Sequence, residues 1–286
     1  MCEGATSDAA EVSLRRRLNP LAEASGLGAI PAVLYSRGST GFLRGATLRN
    51  FRALPAQLTP RLFRSAALRH LTPAAISELA SHGIELVIDL REASEIEQEP
   101  DELPPHTRTY VNIPLYQGDI PQAANIRDVY SDLLLKQGHQ LALVLHTIGT
   151  NLHRNTLFHC RIGKDRTGLI AALLLELGGV DRATIAGDYA ASQTQLNPEY
   201  LETKLAEINA DYAHDPLLAE QARTLHLAAP QEAISSALET VATHFGSVAE
   251  FLGHHGVPEP VVRELAQQFT PSSVAEGSAA EGSVTQ

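Results

Sequence analysis

Cysteine is scarce in this chain, two in 286 residues, so no disulfide framework is available and the usage fits a reducing compartment, the cytoplasm. One of the two, Cys2, falls in an N-terminal stretch that reads as disordered. Tryptophan is absent altogether. Long apolar runs are missing as well: none approaches the roughly 18 to 20 residues of a membrane span. Met1 to Pro20 holds acids and arginines but no apolar signal-peptide core. Export without such a signal leaves no mark in a sequence. Positive charge is in deficit, 22 Lys and Arg against 33 Asp and Glu for a net charge of −11, which argues against a nucleic-acid partner. The single basic cluster, Arg15-Arg16-Arg17, reads as a solvated helix face. The twelve histidines are scattered without ligand-like spacing, so neither a metal nor another cofactor is expected.

Against those absences, 44% hydrophobic content over 286 residues suffices for a sizeable core. Residues 1–44 read as a partly disordered extension and 45–270 as one folded domain. Residues 271–286 read as a disordered tail, in which Ala275-Glu276-Gly277-Ser278 recurs as Ala280-Glu281-Gly282-Ser283. Inside the domain, Thr72-Pro73 opens a helix that Gly83 closes before a strand from Ile84 to Leu90. Glu92, Glu95, Glu97, Glu99, Asp101 and Glu102 then read as a solvated connector whose charge would repel an anion. Thr109 to Pro114 reads as a strand, and Ile126, Val129, Tyr130, Leu133 and Leu134 recur at helical spacing. Thr156-Leu157-Phe158 reads as a buried strand and Thr167 to Leu177 as a buried helix. This alternation predicts an α/β fold with a central, mostly parallel sheet flanked by helices. A helical C-terminal part follows, starting at Asn197-Pro198. It includes a helix with Ile234, Leu238, Val241 and Phe245 on its buried face, and another capped by Ser247 and Glu250 after Gly246.

Between the buried strand and the buried helix lies His159-Cys160-Arg161-Ile162-Gly163-Lys164-Asp165-Arg166-Thr167-Gly168. Five residues separate Cys160 from Arg166, enough for Arg161 to Asp165 to curl around one phosphate with their N–H groups pointing inward. The loop caps a helix N-terminus, whose unpaired N–H groups and positive dipole end favour both a bound phosphate and a cysteine thiolate. Cys160 is thus the candidate nucleophile. Arg166 offers a planar fork for two phosphate oxygens, a geometry lysine cannot reproduce. Gly163 permits a tight turn with no Cβ against the substrate, and Thr167 can donate its hydroxyl to the thiolate as it leaves. His159 orients the loop. The competing readings are a small buried hydrophobe at Cys160, a rhodanese-like sulfur carrier, and a phosphate-binding module without turnover; Arg166-Thr167-Gly168 entering a helix favours phosphate chemistry.

These residues resemble the signature of the cysteine-based protein tyrosine phosphatase superfamily: His-Cys, five residues, then Arg and Ser or Thr. More narrowly, Gly163-Lys164-Asp165-Arg166-Thr167-Gly168 is similar to its bacterial branch of atypical tyrosine and dual-specificity phosphatases, some of which also act on phosphoinositides. Asn50-Phe51-Arg52, the block Arg61 to Leu68, Val87 to Arg91 and His244 to Val248 resemble recurring blocks of that branch in the same order. The likeness spans roughly residues 45 to 270, with a departure at Ala53, where the branch often has aspartate. The resemblance implies a tyrosine-phosphatase-like catalytic domain working through a phosphocysteine.

A general acid and base completes such a mechanism. In most of the superfamily it is an aspartate on a Trp-Pro-Asp loop, and this chain has no tryptophan. The resemblance implies Asp165, inside the loop, with a hydrogen-bonding brace as its other reading; Asp119 is the positional counterpart of the Trp-Pro-Asp aspartate. Asp89, at a strand end, is a third candidate or an orienter of Arg166 or the loop. Lys164 reads either as a rim cation attracting a second phosphate or as an exposed lysine paired with acids, and Arg161 adds charge nearby. The expected partner is therefore a phosphorylated protein, a lipid headgroup or a small phosphorylated metabolite or nucleoside, and no integral membrane segment is expected.

Overall fold

The computed structural model describes residues 48–54 and 62–269. Cys2, the arginine cluster, Arg61, the N-terminal extension and the repeat tail lie outside them. The described sheet has five strands: β1 (Arg52–Ala53), β2 (Leu62–Ser65), β3 (Leu86–Asp89), β4 (Thr109–Asn112) and β5 (Thr156–His159), in the order β1-β2-β5-β3-β4. All pairs are parallel except β1 with β2. The expected mostly parallel sheet is present. Its centre is β5, which registers Phe158 against Arg64 on one side and Ile88 on the other.

Strand residues alternate between two cores, as a two-residue period requires. Phe63, Val87, Tyr110 and Leu157 face α1 (Pro73–Ser81) in the smaller core with Leu68, Leu79 and Ile84. Leu62, Ile88, Val111 and Phe158 face the larger one. That side is built from α3 (Ile126–Lys136), α4 (Gly138–Gly149), α5 (Asp165–Leu177), α6 (Arg182–Ala191), α9 (Gln231–Phe245), α10 (Val248–His254) and α11 (Glu259–Gln267). Helices thus cover both faces, but unequally. The stop and start signals act as expected: Thr72 Oγ1 accepts from Ala75 N at 3.2 Å, Gly83 takes φ 57°, and Ser247 Oγ accepts from Glu250 N at 3.1 Å.

Two helices, α7 (Pro198–Asp211) and α8 (Pro216–Leu227), pack on each other around a small separate core of Ile208, Ala219 and Ala222. The acidic stretch differs from expectation. It folds into α2 (Ala93–Gln98), with Glu92 and Glu95 buried. No helix among the described residues is long and apolar enough to cross a membrane.

Candidate active site

The segment from Cys160 to Lys164 leaves the carboxyl end of the central strand and enters α5 directly, so the loop sits where a parallel sheet opens toward ligands. Cys160 is buried and is the one free cysteine among the described residues. The back of the loop is tied down from outside. Gly163 O accepts from Asn50 Nδ2 at 2.7 Å and from Arg64 Nη2 at 2.8 Å. Arg64 is fully buried; burial lowers its pKa to about 10, against the opposing pull of Asp188. Asp188 on α6 is shared with Arg52, whose Nε donates to it at 2.6 Å. Gly163 is required, at φ 70°, for a different reason from the one its sequence suggests: a Cβ would lie 2.5 Å from the Ser65 carbonyl oxygen, behind the loop rather than toward a substrate.

Arg166 is 5% exposed and pairs in a fork with Glu95, Nη1 to Oε2 at 2.5 Å and Nη2 to Oε1 at 2.8 Å. Nη1 also reaches Leu90 O at 3.4 Å, and the guanidinium carbon sits 5.0 Å from the Tyr116 ring centroid. Of the five N–H groups of an arginine, the Nε–H and one Nη2–H have no partner among the described residues, and they lie on a common edge. That edge presents two parallel donors, the pattern that suits two oxygens of one phosphate. Burial raises the Glu95 pKa, but the hydrogen bonds from Arg166 outweigh it and hold the carboxyl below its usual range. Glu92 accepts from Tyr116 N at 2.9 Å, fixing the strip that carries the ring. The acid-rich stretch is therefore the support of the arginine, and the solvated-connector reading fails for Glu92, Glu95 and Asp101.

Among the described residues the Asp89 carboxylate makes no hydrogen bond to Arg166. It takes Arg91 Nη2 at 2.7 Å and Tyr110 Oη at 2.6 Å, and Arg91 Nη2 continues to Asp101 Oδ2 at 2.6 Å. His159 stands over this buried network, its Nε2 3.2 Å from Asp101 Oδ2 and its Nδ1 3.2 Å from Cys160 O. Burial opposes protonation of His159, but Asp101 and Asp89 prevail and its pKa is raised. A connected set of polar contacts thus runs from Asp89 through Arg91, Asp101 and His159 to Cys160 O.

Lys164 is not on a rim. Its ammonium is buried and donates to Leu225 O at 2.7 Å and Ala228 O at 2.5 Å, at the end of α8, where the helix dipole favours a cation. It also lies 3.1 Å from Asp165 Oδ1, which accepts from Tyr130 Oη at 2.7 Å. The charged side chain left outside is Arg161, 44% exposed, 3.4 Å from Glu99. Asp165 opens α5 with its carboxylate 14% exposed, whereas Asp119 is exposed on the loop after Tyr116. Thr167 is fully buried, and its hydroxyl finds no hydrogen-bond partner among the described residues. Sequence reasoning missed Glu95, Asp101, Asn50, Arg64, Asp188, Tyr116, Tyr130 and Tyr189. Asn50, Arg64, Glu95, Asp101 and Tyr130 fell within segments it had singled out, each for another reason.

Residues 49–271 match the model of the tyrosine phosphatase family. A tyrosine-protein phosphatase of Nostoc commune is 38% identical over 153 residues, covering 50% of this chain; the chain spans only about half of that relative, 51%. The triple specificity protein phosphatase PtpB of Mycobacterium tuberculosis is 28% identical over 247 residues, 72% of this chain and 89% of that protein. The catalytic core of the PP-IP phosphatase SIW14 from S. cerevisiae aligns with 14% identity and a TM-score of 0.35 over 60% of this chain and 98% of that one. Because the family match runs from just before β1 to just past α11 and takes in every element that builds the loop, the chain belongs to the tyrosine phosphatase family.

Proposed function

We propose that the protein hydrolyses phosphate monoesters through a phosphocysteine at Cys160. The substrates are proteins phosphorylated on tyrosine and, with dual specificity, on serine and threonine. The observation that carries this is the free edge of Arg166 held by Glu95 beside a loop that starts at a buried cysteine. Relatives named as tyrosine and triple specificity phosphatases support it. Cys160 attacks phosphorus, Arg166 and the amides of Arg161 to Arg166 hold the oxygens, and Asp165 protonates the leaving oxygen and then activates water. His159 and Thr167 support the nucleophile. The setting is the cytoplasm, in keeping with scarce cysteine.

The doubly phosphorylated lipid headgroup loses its main argument, since the Lys164 ammonium is spent on two carbonyls. Cys160→Ser is expected to abolish hydrolysis of an aryl phosphate, and an unchanged rate would sink the enzyme reading. Phosphotyrosine peptides, phosphoserine peptides, phosphoinositides and nucleoside phosphates compared under one condition should rank phosphotyrosine first. A phosphoinositide ranking first would replace the protein-phosphatase assignment.

A further inference from the structure

Asp165 is gripped by one oxygen only. Its Oδ1 accepts from Tyr130 Oη at 2.7 Å and faces Lys164 Nζ at 3.1 Å, and among the described residues no hydrogen bond reaches Oδ2. Tyr130, on α3, is 0% exposed. Its hydroxyl is 2.7 Å from that of Tyr189, on α6, and the two rings meet edge to face at 88°. A phenol has a single proton to give. With Tyr130 donating to Asp165, Tyr189 must donate to Tyr130, so the chain runs one way, from α6 through α3 to the start of α5. Gly168 makes room for it, because a Cβ there would lie 2.8 Å from the Tyr189 ring.

A carboxylic acid whose one oxygen already accepts a hydrogen bond and faces a cation carries its proton on the other. We infer that Tyr130, backed by Tyr189 and with Lys164 alongside, is a positioning residue that fixes Asp165 Oδ1 and so makes Oδ2 the oxygen that gives and takes the proton. This rests on the assignment of Asp165 as the general acid. In the first step the S–P bond to Cys160 forms as the P–O bond to the leaving group breaks, and the Oδ2 proton passes to the leaving oxygen. In the second, water attacks phosphorus, its proton returns to Oδ2, the S–P bond breaks, and thiolate and inorganic phosphate are released. Atoms and charge balance across both steps.

The test is a series of aryl phosphates whose leaving phenols range from weakly to strongly basic, turned over by wild type, Asp165→Asn, Tyr130→Phe and Tyr189→Phe. An enzyme that protonates its leaving group depends little on phenol basicity. Asp165→Asn should show a steep dependence, with roughly 100-fold loss or more on the poorest leaving group. Tyr130→Phe keeps the ring and frees the carboxylate to turn, so it should fall between the two, about tenfold down on the poorest leaving group and progressively less on better ones. Tyr189→Phe should show the same pattern more weakly, and it carries the test if Tyr130→Phe does not fold. A merely structural brace would lower the melting temperature without steepening the dependence, and that result overturns the inference while leaving Asp165 as the acid. A flat series for Asp165→Asn overturns the assignment of Asp165 itself, and the inference with it.

Discussion

Arg166 and Glu95 are each the other's reason for being buried. A guanidinium at 5% exposure with its carboxylate removed is an unpaired interior charge, and breaking such a pair costs about 3–5 kcal/mol. Glu95→Ala is therefore expected to lower the unfolding free energy by that order, read as a lower urea midpoint at unchanged m. Inorganic phosphate should recover part of the loss, since phosphate oxygens can pair with the freed arginine, and competitive inhibition by phosphate should weaken. A variant as stable as wild type and equally inhibited by phosphate would show that the fork neither anchors nor aims the arginine.

On the level of elements, the loop is shaped from behind. At Gly163 the φ of 70° and the Ser65 carbonyl 2.5 Å from a would-be Cβ make Gly163→Ala doubly unfavourable, through the left-handed backbone and through the clash. The backbone strain alone costs on the order of 1–3 kcal/mol. Activity should fall further than stability, because relief of the clash must move the amides of the cradle; equal melting curves with full turnover would refute this. The elements themselves were legible because their signals are local: Thr72-Pro73, the period of Ile126 to Leu134, and the apolar run ending at Phe158 each specify their own conformation. The supports of the site were not. Glu95 and Glu97 look alike in the acidic run, yet one is buried against an arginine 71 positions away and the other is exposed. Lys164 likewise looks like a surface lysine until the end of α8 is brought over it.

For the molecule as a whole, buried histidines and a buried aspartate make stability depend on pH, with opposite signs. His146 and His255 are lowered to about 4 from 6.5, His146 by burial and His255 by burial first and then by His254 and His139. The unfolded chain takes up protons below 6.5 that the native state refuses until about 4, so stability falls as pH falls through that interval. His159 has the opposite sign. Its raised pKa contributes fully below 6.5 and is lost as pH climbs through the raised value. Asp101 is buried, which alone would raise its pKa, but His159 and Arg91 hold it at about 2. Its contribution is present above 3.8 and lost toward 2. The melting temperature should peak near pH 6.5, the ordinary value of the three histidines. His146→Leu should flatten the limb between 6.5 and 4, and an unchanged slope in differential scanning calorimetry would rule His146 out as its source.

The Lys164 ammonium carries a last implication. A side chain in the middle of the anion cradle is bonded to the carbonyls of Leu225 and Ala228, more than 60 residues downstream. The strand, cradle and first helix do not make a self-sufficient unit. A version of the protein ending after Gln195 would keep every residue of the phosphatase signature, but it would strand a buried cation beside the proposed acid. The segment that ends α8 thereby completes the surroundings of the loop, and the smallest active fragment is expected to end beyond Ala228.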